Sequence, residues 1–302
     1  MTKTVLILGP SGKIGTHAAR AFAARGWTIR SYQRGTDMTA AAQGADVIVN
    51  GLNPPNYHNW AEIIPAITQQ VIAAAKASGA TVILPGNVYN FGETGGMWDE
   101  TTPHRATSRK GKIRIEMEAA YRASGVQTII LRAGNFIDPD RNKDIFSLMT
   151  LTNPAKPKIT SLGDPGAQQA WVWMPDWAEA AADLAEERAE LATFEDVPMP
   201  GFSLSHRDMA DRLSTLTGRR YKVSRFPWII MRLAAPFWEL AREMIDMRTL
   251  YDTPHALGSA KFNRLLPEFR ATSFEDAMRV LLDGHVQPNQ TVRTSGKPVL
   301  AK

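Results

Sequence analysis

The residues best placed to do chemistry lie between the first apolar run and the first helical pattern, in Gly9-Pro-Ser-Gly12-Lys-Ile-Gly15. Glycines at this spacing, after a strand and opening a helix, suit a pyrophosphate. Gly9 permits a tight turn, Gly12 lets backbone amides approach the phosphates, and Gly15 lets the helix pack closely on its strand. Ser11, Lys13 and Ile14 complete the loop, and the helix N-terminus adds a partial positive charge. A second clue lies at the end of the next strand. A carboxylate there, about 20 residues on, would bond an adenosine ribose diol, yet Ile29-Arg-Ser-Tyr-Gln-Arg34-Gly35 carries none before Asp37. Arg34, helped by Arg30 or Lys13, would instead neutralise a 2′-phosphate. The expected ligand is therefore NADP(H), with NAD(H) as the alternative.

A loop of this kind needs a strand before it and a sheet beside it. Thr4–Leu8, Thr28–Tyr32, Val47–Asn50, Thr81–Leu84 and Thr128–Leu131 read as buried strands. Ile14–Arg25, Trp60–Ser78 and Lys112–Ser124 between them carry helical periodicity. Alternation of this sort gives parallel strands joined by right-handed crossovers. The expected fold is an α/β, Rossmann-type, doubly wound parallel sheet with a smaller, mostly helical C-terminal substrate domain. The link from Tyr32 to Val47 is too short for a full crossover helix, so a trimmed unit is expected there. Pro175–Glu190 reads as a helix with proline at its start. The expected bounds are 1–195 for the nucleotide-binding domain, with insertions after residue 135 reaching the substrate side, 196–285 for the smaller domain, and 286–302 for a flexible tail.

Composition narrows the partners. The 302 residues are 44% hydrophobic and 22% charged, with a net charge of +5. Part of that charge is Arg293, Lys297 and Lys302 near the C-terminus, and no Lys/Arg run is interleaved with aromatics, which argues against nucleic acid. His17, His58, His104, His206, His255 and His285 show no i,i+3 or i,i+4 pair, so no metal is expected. Without cysteine there are no disulfides or thiolate sites, which fits a cytoplasmic address. No apolar run reaches the roughly 18 residues of a membrane span, and the segment before Gly9 reads as a strand rather than a signal peptide. No membrane partner is expected.

With the glycine loop in place, the chain resembles the atypical and extended short-chain dehydrogenases/reductases, the epimerase/dehydratase-like group. Ala45-Asp-Val-Ile-Val-Asn-Gly-Leu52 is similar to the strand whose end contacts the cofactor, which implies Asn50, Gly51 and Leu52 there. Val82-Ile-Leu-Pro-Gly-Asn-Val-Tyr89 is similar to the strand that ends at the active site. Leu131-Arg-Ala-Gly-Asn-Phe136 resembles the segment beside the nicotinamide, which implies Ala133 and Gly134. Trp171-Val-Trp-Met-Pro-Asp176-Trp-Ala, Lys261-Phe-Asn and Ser273-Phe-Glu-Asp-Ala277 continue the likeness in order, from residue 3 to about 283.

The resemblance breaks at the catalytic groups. The family's strand Ser/Thr, helix Tyr and helix Lys fall on Pro85, Lys110 and Arg114. Lys110 and Arg114 keep the i,i+4 spacing of one helix face. Arg114 can hydrogen-bond a ribose but does not titrate near neutrality. Lys110 can exchange protons only if its pKa is pushed far down. Tyr89, ending a strand, is the other catalytic candidate, while His104 reads as a loop residue. The expected activity is NADP(H)-dependent oxidoreduction of a small organic substrate in the domain cleft. The alternatives are a nucleotide-sugar epimerase/dehydratase and a non-catalytic NADP(H)-binding redox sensor or regulator. The resemblance also implies a homodimer. Trp228 to Tyr251 reads as continuing helix with apolar residues on several faces, which points to core packing; Trp171, Trp173 and Trp177 fall near the domain junction.

Overall fold

The computed structural model describes residues 2–141 and 144–283; the expected tail lies outside them. The first half alternates as the periodicity requires. β1 (Thr4–Leu8) leads through α1 (Lys13–Ala24) to β2 (Thr28–Ser31), α2 (Met38–Ala42) and β3 (Val47–Asn50). Then come α3 (Trp60–Ser78), β4 (Thr81–Gly86), the short β5 (Gly96–Trp98), α4 (Arg109–Ser124) and β6 (Thr128–Arg132). β7 (Asn135–Ile137), β8 (Lys158–Ser161), β9 (Gln169–Trp173) and α5 (Met174–Glu186) precede β10 (Phe194–Pro198).

Six of these strands form one parallel sheet in the order β10-β6-β4-β3-β1-β2. A parallel sheet is covered on both faces, so its strands are apolar throughout. Alternate residues divide between the two layers: Val5, Ile7, Val49, Ile83 and Leu131 pack against α1 and α5. Leu6, Leu8, Ile48, Val82 and Ile130 pack against α3 and α4. The short link after β2 is the expected trimmed unit: α2 has five residues, and Asp37 caps it by accepting from Thr39 N and Ala40 N at 2.8 and 3.2 Å. β10 straddles residue 195, pairing with β6 along its length.

The remaining elements are β11 (Phe202–Leu204), α6 (His206–Thr217), β12 (Lys222–Arg225), α7 (Trp228–Ala234), α8 (Glu239–Asp246) and α9 (Arg248–Asp252). They end with β13 (His255–Leu257), α10 (Ala260–Leu265) and α11 (Phe274–Leu282). β11, β9 and β7 form a small sheet, and β12 pairs with β8. Residues 135–173 therefore build the same second core as the C-terminal helices, around Phe146, Trp171, Trp173, Met209, Phe274 and Met278. Trp171, Trp173 and Trp177 are core residues; the indole N–H groups of Trp171 and Trp177 donate to the Leu204 and Leu131 carbonyls at 3.1 and 3.0 Å.

Two sequence expectations change. Pro236 stops the long helix expected over 228–251, because proline lacks the N–H a helix interior needs, and three short helices stand in its place. Nor is the segment wholly core. Met244, Met247, Leu250 and Tyr251 are buried, but Ile229, Ile230, Leu233, Phe237 and Trp238 are exposed. No helix among the described residues is long and apolar enough to cross a membrane.

Candidate functional site

The turn from β1 into α1 is held by its own backbone. Gly9 sits at φ +74°, Gly12 N donates to Gly9 O at 3.0 Å, and Thr16 N donates to Gly12 O at 2.8 Å. A Cβ on Gly15 would stand 2.2 Å from Gly9 O, and one on Gly51 would stand 2.9 Å from Leu8 O and 3.2 Å from Ile14 Cβ. The turn and the end of β3 thus close on each other through glycine, and no side chain fits between them. α1 begins at Gly12 with no side-chain cap and no acidic residue in its first turn. The positive end of its dipole faces the turn, where an anion is favoured.

The other expected cofactor residues divide by task. Ser11 is exposed at the turn. Lys13 is half-buried, and burial lowers its pKa against the opposing pull of Asp144 and Asp138. Arg34 is exposed just after β2. Arg30 has another role, donating to Ala41 O and Gln43 O at 2.9 and 2.6 Å and closing α2. Asn50 shapes the turn after β3: its Oδ1 accepts from Leu52 N and its Nδ2 donates to Tyr121 Oη, both at 3.2 Å. Ala133 is fully buried, its N donating to Gly86 O at 3.1 Å. At Gly134 a Cβ would lie 2.1 Å from Ala170 O. That glycine is required by packing against β9.

At the mouth of the sheet, Lys110 and Arg114 share the inner face of α4 and are both buried. The Lys110 ammonium is held by α8. It donates to the Glu243 carbonyl at 2.8 Å and pairs with the Glu243 carboxylate and, at 3.5 Å, the Asp246 carboxylate. The first task of Lys110 is therefore to clamp α8 over the site. Arg114 Nη2 donates to Pro85 O at 2.8 Å, at the place of the family's strand hydroxyl, while its buried Nε has no partner. Burial lowers its pKa. Tyr89 opens the turn after β4, and its hydroxyl lies 3.5 Å from that of Tyr57. The Lys110 ammonium stands over the Tyr57 ring at 4.9 Å.

Tyr57 was not singled out by sequence, and the only local signal was the Pro54-Pro55-Asn56-Tyr57 turn. Asn56, Tyr57 and Asn59 adopt left-handed φ of 53°, 61° and 45°, a costly run for residues other than glycine. The tyrosines Tyr89 and Tyr251, burial and Glu243 together raise the Tyr57 pKa well above its usual value. Tyr57, Trp60, Lys110, Ile113, Glu239 and Glu243 line a small cleft of about 70 Å³ between this turn, α3, α4 and α8.

Beneath Tyr89 lies a buried ion network. Arg132 donates to Glu118 at 2.8 Å, to Asp196 at 2.6 Å and to Asn87 O at 2.6 Å. It ties β6, α4 and β10 to the turn that carries Tyr89. The carboxylates of Glu118 and Asp196 lie within metal-ligand reach of His104, and those of Asp138 and Asp140 within reach of His17. Both groupings are crossed by cations: Arg132 holds the first pair of acids, and Arg20 holds Asp140 at 2.6 Å. His104 is exposed and lies edge-on to Phe91, with ring centroids 5.4 Å apart.

No protein-family profile matches this sequence, and no curated protein does. Solved structures do match. The chain is similar to UDP-glucose 4-epimerase from Brucella ovis in complex with NAD, with a TM-score of 0.73 at 16% identity over 95% of this chain and 100% of that one. It is similar to UDP-glucuronic acid 4-epimerase from Bacillus cereus in complex with NAD, with a TM-score of 0.72 at 15% identity over 93% and 96%. MoeE5 in complex with UDP-glucose and NAD gives a TM-score of 0.72 at 14% identity over 93% and 97%. The chain therefore has, over almost its whole length, the Rossmann-type fold of these structures, which is the fold expected from the extended short-chain dehydrogenase/reductase resemblance.

Proposed function

We propose that the chain is an NADP(H)-dependent oxidoreductase of the short-chain dehydrogenase/reductase type, acting on a small organic substrate in the cleft beneath α8. The observation that carries this reading is the closed glycine cradle at an uncapped helix N-terminus, where the Gly15 and Gly51 positions exclude any side chain. The similar structures are complexes with NAD, which supports a nicotinamide dinucleotide. The 2′-phosphate preference is this chain's own: Arg34 is exposed, and the nearby Asp37 is occupied in capping α2. Bound there, the cofactor supplies or accepts a hydride.

The chain's residues do the rest. The Gly9–Gly15 loop holds the pyrophosphate, and Arg34 pairs with the 2′-phosphate. The unpartnered Nε of Arg114 donates to the cofactor ribose, replacing the family lysine as holder but not as proton carrier. Tyr89 gives or takes the substrate proton, with Tyr57 as the hydroxyl behind it. Lys110 positions this pair by fixing α8 and lying over the Tyr57 ring.

The first experiment is thermal stability with NADPH and with NADH. A ligand at 100 times its Kd adds about 2.7 kcal/mol, a rise of several degrees for a chain of this size. A large shift with NADPH that Arg34→Ala abolishes selectively is the expected result; no shift with either nucleotide overturns the reading. NADPH consumption with a carbonyl panel, lost in Tyr89→Phe with binding retained, then separates an enzyme from a cofactor-binding regulator. The fold likeness to epimerases favours a second reading, isomerisation of a nucleotide sugar. That activity would leave the nicotinamide pool unchanged while product accumulates.

A further inference from the structure

Of the eight large hydrophobic side chains exposed among the described residues, five fall within ten positions: Ile229, Ile230, Leu233, Phe237 and Trp238. Leu233 is 72% exposed and Phe237 is 93% exposed. They form the outer face of α7 and the turn into α8. An apolar patch left in water on this scale marks a contact surface.

Charge says what kind of surface. The acids between residues 219 and 248 are Glu239, Glu243 and Asp246, and all three are engaged by the protein itself. Glu239 bonds His58 at 2.8 Å, and Glu243 and Asp246 clamp Lys110. The bases face solvent: Arg220, Lys222, Arg225, Arg232 and Arg242 are exposed. Arg232 is one helical step from Ile229 on α7, and Arg242 reaches the Ala235 carbonyl at 2.9 Å, at the end of α7 just before Phe237. Lys222 is paired in register with Lys158, which is also exposed. The patch is thus apolar at its centre and cationic at its rim. A twofold contact with a second copy would set this patch against itself and bring two cationic rims together. An anionic bilayer supplies both what the apolar centre and what the cationic rim require, and tryptophan favours its interface.

We propose that the α7–α8 hairpin docks the protein peripherally on an anionic lipid surface. The Ile229–Trp238 side chains enter the boundary between headgroups and acyl chains, and Arg225, Arg232 and Arg242 meet the headgroups. Glu239 and Asp246 stay partly exposed, but their charges are paired with His58 and Lys110, which leaves the five exposed bases in excess.

The test is co-sedimentation of the full chain with vesicles of phosphatidylcholine, with and without phosphatidylglycerol. The expected result is binding only to the anionic vesicles, weakened by salt. Arg225→Gln and Arg232→Gln should each lower partitioning about fivefold, and Leu233→Glu with Phe237→Glu should abolish it. These side chains are exposed, so an unchanged melting temperature verifies the fold of each variant. Absence of binding to anionic vesicles, equal binding to neutral ones, or indifference to these substitutions overturns the proposal. So does a dimer in light scattering that Phe237→Glu dissociates without any vesicle binding by the wild type.

Discussion

Gly15→Ala tests the cradle most directly. The new Cβ would stand 2.2 Å from Gly9 O and 2.8 Å from both Gly9 C and Pro10 Cα. Restoring ordinary contact requires the turn to move by about 1 Å, since non-bonded carbon contacts settle well above 3 Å. Overpacking of this kind costs about 1–3 kcal/mol, partly offset by the roughly 1 kcal/mol that alanine gains over glycine in a helix. The net loss of stability is therefore small. The functional loss is not, because the displaced Gly9–Gly12 turn carries the amides meant for the pyrophosphate. A hydrogen bond to a charged group contributes about 1.5–3 kcal/mol, so losing even one weakens binding at least tenfold. The assay is melting temperature against NADPH concentration. Wild type should rise by several degrees at saturation, and Gly15→Ala should require at least tenfold more nucleotide for the same rise. Gly125→Ala is the control: φ is +74° but no atom lies within 4 Å of its Cβ, so it should lose stability with no loss of binding. A Gly15→Ala protein with the wild-type nucleotide response would refute the assignment of the loop.

Other outcomes follow from the same geometry. Lys110→Met strands the Glu243 carboxylate, which is only 16% exposed, and should cost about 2–3 kcal/mol, below the full cost of a wholly buried pair because Asp246 is partly hydrated. Adding Glu243→Met should recover much of that loss in denaturant unfolding; failure to recover would show the pair is not coupled. Burial lowers the pKa of both His206 and His255 to about 4. The unfolded chain then binds more protons than the native one between about pH 6.5 and 4, so stability falls as pH falls through that window, by about 3 kcal/mol for each histidine. His255 stacks on Trp98 at 4.4 Å, and His255→Gln should flatten the acid limb of a stability–pH curve. Arg132→Met leaves Glu118 and Asp196 buried without their cation and should cost about 3–5 kcal/mol in the same unfolding measurement.

The strands of the parallel sheet, the helices between them and the trimmed link after β2 were legible in the residues, because fully apolar strands and 3.6-residue periodicity are local properties. The glycine loop was legible for the same reason: its geometry lies within seven consecutive residues. Tertiary structure decided what each remaining side chain does. Lys110 looked like a proton carrier at the family tyrosine position until α8, more than a hundred residues away, supplied carboxylates to its ammonium. Gly134 must be glycine for a reason outside the local motif, the close approach of Ala170 in β9. Tyr57 had no motif, and only folding brought its hydroxyl to Tyr89. The 228–251 segment carried apolar residues on several faces, and the sequence could not say which faces would be covered. Local spacing fixes backbone shape because its forces act between neighbours in the chain; charge pairing and burial act between residues that only the fold makes neighbours.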